Sequence, residues 1–425
     1  MKNLLFQNKG YLMLWLSTLT TRFGNALTLT VLVYHIGSHS GNAFMISMVL
    51  LAQMVPMVLI GLFAGSIADR MPKFVIMISS EWLQLFIVGA MIFSLDYAWL
   101  LIFLIFIQGA AAAFYGPAKT AYLPELVAEQ KLSEAIGLSQ ATSQSADLIG
   151  PPIAGALLLM IQSREILMID LLTFFISALF IFASSRYGKA NRKLIESKVH
   201  ESLLISIGKG LKEVSSLKSL KFLIVIVFVL MLAAGVFNAT SVSIELQIFH
   251  VNGFQYGLLQ SVGGIGAILG SFAGPLLIKR INPGKFIITS GTILGIWMTL
   301  IFFIHALQAT FGLAALFIWI SIIGLLNSCL NVPVSSLFLL VTPPTFRGRA
   351  VGIMQMFTYL GCIIGLLVGG TLTAPIGMIQ VTIIAGVAMT AVSLGLIGTK
   401  GYKQLIHEQN LKSKDGAADK RTFVE

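Results

Sequence analysis

Two oppositely charged side chains lie where nearly every neighbour is apolar: Arg22, about 11 residues into a run from 11 to 36, and Asp147, about 13 into a run from 134 to 161. An ionisable group in such a place costs several kcal/mol unless it is paired or wetted, so each is a functional hypothesis by default. If both runs enter a bilayer from the same side, a rise of ~1.5 Å per residue puts the two groups at one depth, near mid-bilayer. A carboxylate beside a fixed guanidinium can couple proton uptake to substrate binding or release, and it can equally be a static strut. Glu81 and Lys119 lie near one end of their runs and read as a structural pair, whereas Asp170 and Glu245 lie toward the opposite ends, where water can reach them. Other chemistry is missing from the sequence. There is no G-x-x-x-x-G-K-[ST] loop to cradle a nucleotide and no H-E-x-x-H helix; the six histidines are scattered, and Cys329 and Cys362 sit inside apolar runs. We therefore expect no direct use of ATP, no metal, no cofactor, no disulfide framework and no enzymatic activity.

The elements that must position these charges are membrane helices. Of 425 residues, 56% are hydrophobic and 11% charged, against roughly 25% charged in an ordinary soluble domain. Too few charges remain to build a wetted shell, so the apolar excess must face lipid. The runs fall near 11 to 36, 43 to 67, 74 to 95, 98 to 122, 134 to 161 and 165 to 185, then 222 to 249, 255 to 278, 286 to 305, 310 to 339, 348 to 372 and 376 to 398. Each is about as long as the ~20 residues a helix needs to span, and about twice a barrel strand. The fold class is all-α and polytopic, with twelve transmembrane helices in two six-helix bundles. The first run has no convincing cleavage site behind it and is taken as a helix, not a leader.

Placing the N-terminus in the cytoplasm gives the inward segments 25 lysines and arginines and the outward loops only Arg164. That asymmetry is the positive-inside pattern of an even number of spans with both termini cytoplasmic in a cell (plasma or inner) membrane. The net charge of +11 thus reports topology, and no nucleic acid partner is inferred. Domains are expected at 1–185, an N-terminal bundle; 186–221, a cytoplasmic linker; 222–399, a C-terminal bundle; and 400–425, a cytoplasmic tail. In the linker, Leu203, Ile207, Leu211 and Val214 are spaced as on a short surface helix.

An internal repeat divides the chain. Gly137, Gly150 and Gly155 in the fifth span recur as Gly352, Gly365 and Gly370 in the eleventh, with the same spacings of 13 and 5 and an offset of 215 residues. Six spans is an even number, so both halves enter from the same side and are related by an axis along the membrane normal.

The loop Gly65-Ser66-Ile67-Ala68-Asp69-Arg70-Met71-Pro72-Lys73 resembles the G-x-x-x-D-R-x-G-R motif of the major facilitator superfamily, departing from it at Pro72. The fifth span, with Gly137, Ala146, Gly150-Pro151 and Ala154-Gly155, resembles that family's antiporter motif G-x8-G-x3-G-P-x2-G-G, with alanine at 146 and 154. Small residues of this kind permit close helix approach and a proline bends the helix. The stretch Ala113 to Val127 closing span four is similar to the macrolide-efflux and enterobactin-exporter branch, and lysophospholipid transporters share its features. The resemblance covers residues 11 to 398.

The resemblance implies two bundles that rock about a midplane site, with Gly65, Asp69, Arg70 and Lys73 as a cytoplasmic gate whose Asp69 meets the start of span eleven near Gly348 and Arg349. It makes helices one and five neighbours, which places Arg22 and Asp147 in an ion pair facing the cavity. Span seven then lines the pathway, making Glu245 the candidate for a second proton or cation site. Uncharged polar residues sketch a substrate wall: Asn25, Gln108, Tyr115, Asn238, Asn327, Asn331, Gln355 and Tyr359. The function implied is proton-coupled efflux of a hydrophobic or amphipathic small molecule, a drug-like compound or siderophore, by a chain acting as a monomer in the lipid bilayer. Two alternatives stay open: a lysophospholipid or lipid translocase of the same fold, and a receptor or structural protein that keeps the fold without transport.

Overall fold

A stripe of small and hydroxyl-bearing residues, Ser17, Thr21, Gly24 and Thr28, runs along one face of the first helix, and the bundle is assembled against it. The computed structural model describes residues 8–187, 217–278, 283–342, 347–399 and 402, without the side chains at 61–70, 129, 133, 144, 218, 283, 332, 336, 339, 340, 347–349 and 351. The linker residues Leu203, Ile207, Leu211 and Val214 lie outside the described residues. The described residues form helices α1 (Lys9–Ser40), α2 (Ala43–Arg70), α3 (Lys73–Phe93), α4 (Ala98–Leu126), α5 (Glu129–Met160), α6 (Ser163–Ser185), α7 (Lys218–Ser243), α8 (Gly253–Ile278), α9 (Pro283–Thr299), α10 (Ile301–Phe311), α11 (Ala314–Val341), α12 (Arg347–Ile376) and α13 (Met378–Gly395). A π-helical turn, Ile244–Ile248, extends α7, and no strand occurs among the described residues. In lipid every backbone polar group must be satisfied within its own segment, which is why the membrane-spanning chain stays helical.

Among the described residues nine helices are long and apolar enough to cross a membrane, and ten if α9 and α10 form one span bent by 50°. Helices α1 and α5, each 32 residues, are the other two. They are long enough to cross, at ~1.5 Å per residue, but Ser17, Thr18, Thr20, Thr21, Arg22 and Asn25 dilute the first, and Ser139, Gln140, Thr142, Ser143, Ser145 and Asp147 the second. Much of that polarity is met by protein. Ser17, Thr21 and Thr28 are buried, and Trp15 Nε1 of α1 donates to Thr142 Oγ1 of α5 at 2.8 Å. Phe86, Phe93, Phe272 and Phe303, on other helices, are more than half exposed, as residues facing hydrocarbon should be.

Contacts divide the chain into two compact units. The first comprises Met1–Val199 with Val242–Ser261. Its centre is α1, which packs on α5 and α6, while α4 packs on α2 and α3, and α3 on α6. Tyr11, Leu14, Met77 and Tyr122 form one part of its core, and Leu27, Val31, Ala154 and Ile166 another.

The second unit comprises His200–Ser241 and Val262–Glu425, and in it α9 packs on α11 and α13. The bend after α9 has a local cause. The indole nitrogens of Trp297 and Trp319 each donate to the other residue's carbonyl, at 3.1 Å and 2.9 Å. The Trp297 carbonyl thus takes a side-chain donor from α11 at the point where the helical ladder breaks, a known way for a kink to arise. Replacing the buried Trp319 by phenylalanine removes that donor, and a melting curve of the purified protein is expected to show a loss of about 1–3 kcal/mol. An unchanged melting temperature would mean that the indole bond is dispensable.

Candidate functional site

The first unit carries its charged and hydroxyl-bearing groups on α1, α3, α4, α5 and α6. Arg22 of α1 and Asp147 of α5 are both exposed. Each lies within the other's field, without a direct hydrogen bond among the described residues. The guanidinium also acts on Tyr115 and Lys119 of α4, so Arg22 is the hub of a group drawn from three helices. Asn25 and Gln108 meet one level along α1, the Gln108 amide donating to Asn25 Oδ1 at 3.3 Å.

Behind this group lies a network of buried carboxyls and hydroxyls. Glu81 is fully buried. It pairs with hydroxyls and not with Lys119: Thr21 Oγ1 donates to its two carboxyl oxygens at 2.9 Å and 3.1 Å. Thr21 Oγ1 is also 2.7 Å from Ser177 Oγ of α6. Ser17 Oγ is 2.7 Å from Ser177 Oγ and 3.3 Å from Tyr115 Oη. Asp170, expected at a wet edge, is likewise fully buried. Thr28 donates to one of its oxygens at 2.6 Å and Thr173 to the other at 2.9 Å. Gly24 makes room for this carboxyl, because a Cβ there would come within 2.1 Å of Asp170 Oδ1. The signal that could have revealed the network is the stripe Ser17, Thr21, Gly24, Thr28, at steps of four, three and four residues along one face.

Glu245 also departs from the wet-edge expectation. It is 1% exposed, it is the second residue of the π-helical turn, and its Oε2 is buried without a hydrogen-bond partner. Tyr256 lies within its field and faces Tyr34 of α1 with ring centroids 6.1 Å apart. π-turns concentrate at functional positions because they break the helical ladder locally.

The glycines of the fifth span divide in two. A Cβ on Gly150 would lie 2.4 Å from Ala26 Cβ of α1, and one on Gly155 would lie 2.9 Å from Gly257 Cα, so helices close tightly there. Gly137 has nothing within 4 Å of that position and close packing does not explain it. Pro151 lies inside α5. In the second unit Gly352 is likewise open, while Gly365 presses on Leu232 and Gly235 of α7. The two repeats thus share their packing along with their spacing: an open first glycine, and a second glycine seated on α1 or on α7.

Of the remaining polar residues, Asn327 and Asn331 of α11 bond to each other and line a cavity with Met231, Phe237 and Met298. Asn238, Gln355 and Tyr359 are exposed. Gly65, Asp69 and Arg70 fall on the end of α2, where their side chains lie outside the described residues, as does that of Arg349. Lys73 begins α3 and is half-buried. No group of three or more metal-ligating side chains occurs among the described residues.

A family profile described as Major Facilitator Superfamily matches residues 14–319 and 223–412. The chain is 26% identical over 415 residues to an uncharacterized MFS-type transporter, YfiS, of Bacillus subtilis, covering 95% of this chain and 96% of that one. It is 23% identical over 398 residues to macrolide efflux protein A of Streptococcus pyogenes, covering 90% and 93%. Among solved structures it is similar in fold to a bacterial homologue of the iron transporter ferroportin in an inward-facing state. The TM-score is 0.73 at 15% identity, with 92% of this chain and 99% of that one covered.

Proposed function

The chain belongs to the Major Facilitator Superfamily, and we propose that it exports a hydrophobic or amphipathic small molecule, drug-like or siderophore-like, in exchange for protons. It is a multi-pass membrane transporter and not an enzyme. On this reading residues 1–185 and 222–399 are the two bundles that alternate access, 186–221 is a cytoplasmic linker and 400–425 a cytoplasmic tail. The protein works as a monomer in the plasma membrane with both termini inside. Gly65, Asp69, Arg70 and Lys73 form its cytoplasmic gate.

The observation that carries the reading is the exposed pair of opposite charges, Arg22 and Asp147, on adjoining helices of a largely apolar bundle. An intramembrane charge that is neither buried nor directly bonded is available to substrate and to protons. Glu245, buried beside a π-turn with an unpartnered oxygen, supplies a second proton-binding carboxyl. Asn25 with Gln108, Tyr115, and Asn327 with Asn331 supply polar anchors, and Asn238, Gln355 and Tyr359 supply exposed ones. Methionines and phenylalanines around the α11 pair give an adaptable apolar surface. Likeness to a macrolide efflux protein favours export.

The test is accumulation of radiolabelled erythromycin and of a panel of lipophilic dyes in cells with and without the chain. The expected result is lower accumulation with the chain, reversed by a protonophore. Lowered accumulation that ignores the protonophore would remove proton coupling, and movement of lysophospholipid alone would favour a lipid translocase.

A further inference from the structure

We propose that Glu81 is a proton-binding site reached through a wire of hydroxyl groups, Tyr115 to Ser17 to Ser177 to Thr21, that runs from the Arg22 side of α4 into the back of the bundle. The inference rests on the proton-coupled reading above and extends it to residues outside the Arg22 and Asp147 pair.

Each of the four hydroxyls has one proton to give and lone pairs to receive. The links are 3.3 Å, 2.7 Å and 2.7 Å, and the last reaches Glu81 at 2.9 Å. A single Thr21 proton cannot serve both Glu81 and Ser177, and Ser177 can also donate to the Ser17 carbonyl at 3.4 Å, so two continuous directions are open to the chain. In one, Tyr115 donates to Ser17, Ser17 to Ser177, Ser177 to Thr21 and Thr21 to an ionised Glu81. In the other, a protonated Glu81 donates to Thr21 and every later bond reverses. Both directions satisfy the same distances. They differ by one proton on Glu81.

Passage from the first to the second is balanced. A hydronium ion that reaches Tyr115, a buried residue 8% exposed, gives a proton to its Oη and becomes water. Tyr115 passes its own proton to Ser17, and so on, until Thr21 passes its proton to the carboxylate. Each hydroxyl ends with one proton and Glu81 gains one.

Among the described residues no cation faces Glu81. On α6 the charged group facing it is Asp170, whose field reaches it; on α4 the titratable group is Tyr115. Lys119, further along α4, lies within the field of Arg22. Helix α1 presents hydroxyls, its Arg22 being exposed on another face, and residues 43–60 of α2 contain no charge. A carboxyl fully buried without a cation gains by binding a proton, since a bare buried charge is costly. One turn on, Gln84 is 1% exposed and its Oε1 is buried with no donor, an acceptor that a water or a travelling proton would fill.

Difference infrared spectroscopy on the full chain in proteoliposomes tests this, following the carboxylic C=O band through a pH titration. The wild type is expected to show a titrating buried-carboxyl band that Glu81→Gln removes. Tyr115→Phe is expected to keep the band but lose its rapid response to a pH jump, which covers the case in which Glu81→Gln fails to fold. A band unchanged in Glu81→Gln, no titrating band in the wild type, a band that shifts with sodium and not with pH, or an undiminished rapid response in Tyr115→Phe would each overturn the proposal. Erythromycin flux driven by a pH difference, measured in the same vesicles, judges the proton-coupled reading separately. Flux insensitive to the pH difference defeats that reading, and driven flux without the Glu81 band defeats only this one.

Discussion

Asp147→Asn is expected to leave the chain folded while lowering uphill, proton-driven export by about tenfold or more, the factor that ~1.4 kcal/mol of lost coupling produces. Asparagine keeps the size of aspartate and loses both its charge and its exchangeable carboxyl proton. Arg22 then keeps a field that still bears on Tyr115 and Lys119 but loses the α5 carboxylate whose field it shares. Because Asp147 is exposed, the change disturbs no packed neighbour. The measurement is a pair: substrate movement driven by a pH gradient in inverted vesicles, and exchange of labelled for unlabelled substrate with no gradient. The first should collapse and the second persist. Should both persist, Asp147 has no part in coupling. A lowered melting temperature with intact coupling would make the pair a strut.

The second large effect is structural and comes with its own control. A Cβ on Gly365 would lie 2.1 Å from the Leu232 carbonyl and 2.9 Å from Gly235 Cα. Both are backbone atoms of α7, so no side chain can swing aside and the helices must separate. Overpacking of this kind costs about 1–3 kcal/mol, more than the ~1 kcal/mol that alanine gains over glycine in a helix. Gly352, on the same helix, meets nothing within 4 Å, and there the alanine gain stands alone. Gly365→Ala should lower the melting temperature and the yield of monodisperse protein, and Gly352→Ala should hold or raise both. Equal melting of the two variants would show that α7 and α12 do not depend on this contact.

What could be read in advance followed from solvent. Lipid demands long apolar helices, and topology sorts lysine and arginine, so the spans and the resemblance to a transporter family were legible without coordinates. The partners of the buried acids were not. Thr21 is 60 residues from Glu81 and 156 from Ser177, and a serine or threonine in a membrane helix usually bonds its own preceding turn, as Thr18 and Thr30 do here. Charge complementarity therefore pointed Glu81 to Lys119, whereas the packing of α3 between α4 and α6 turned it toward hydroxyls. Asp170 and Glu245 were placed near water by their position along their spans. Position along a helix fixes depth but not the face that a side chain occupies, and both lie on faces covered by other helices. Gly137 shows the converse: its spacing matched a packing motif, and no neighbour sits there.

The broken ninth span also bears on the lipid around it. With α9 along the membrane normal, the 50° turn lets the eleven residues of α10 rise only ~11 Å where a straight continuation would rise ~16 Å. In that orientation this side of the second unit presents a shorter hydrocarbon-matching height than a straight span would, and Phe302, Phe303 and Phe311, each about 60% exposed, line it. Acyl chains there must thin or tilt to meet it, so bilayer thickness becomes a variable to which this edge of the protein is mechanically tied.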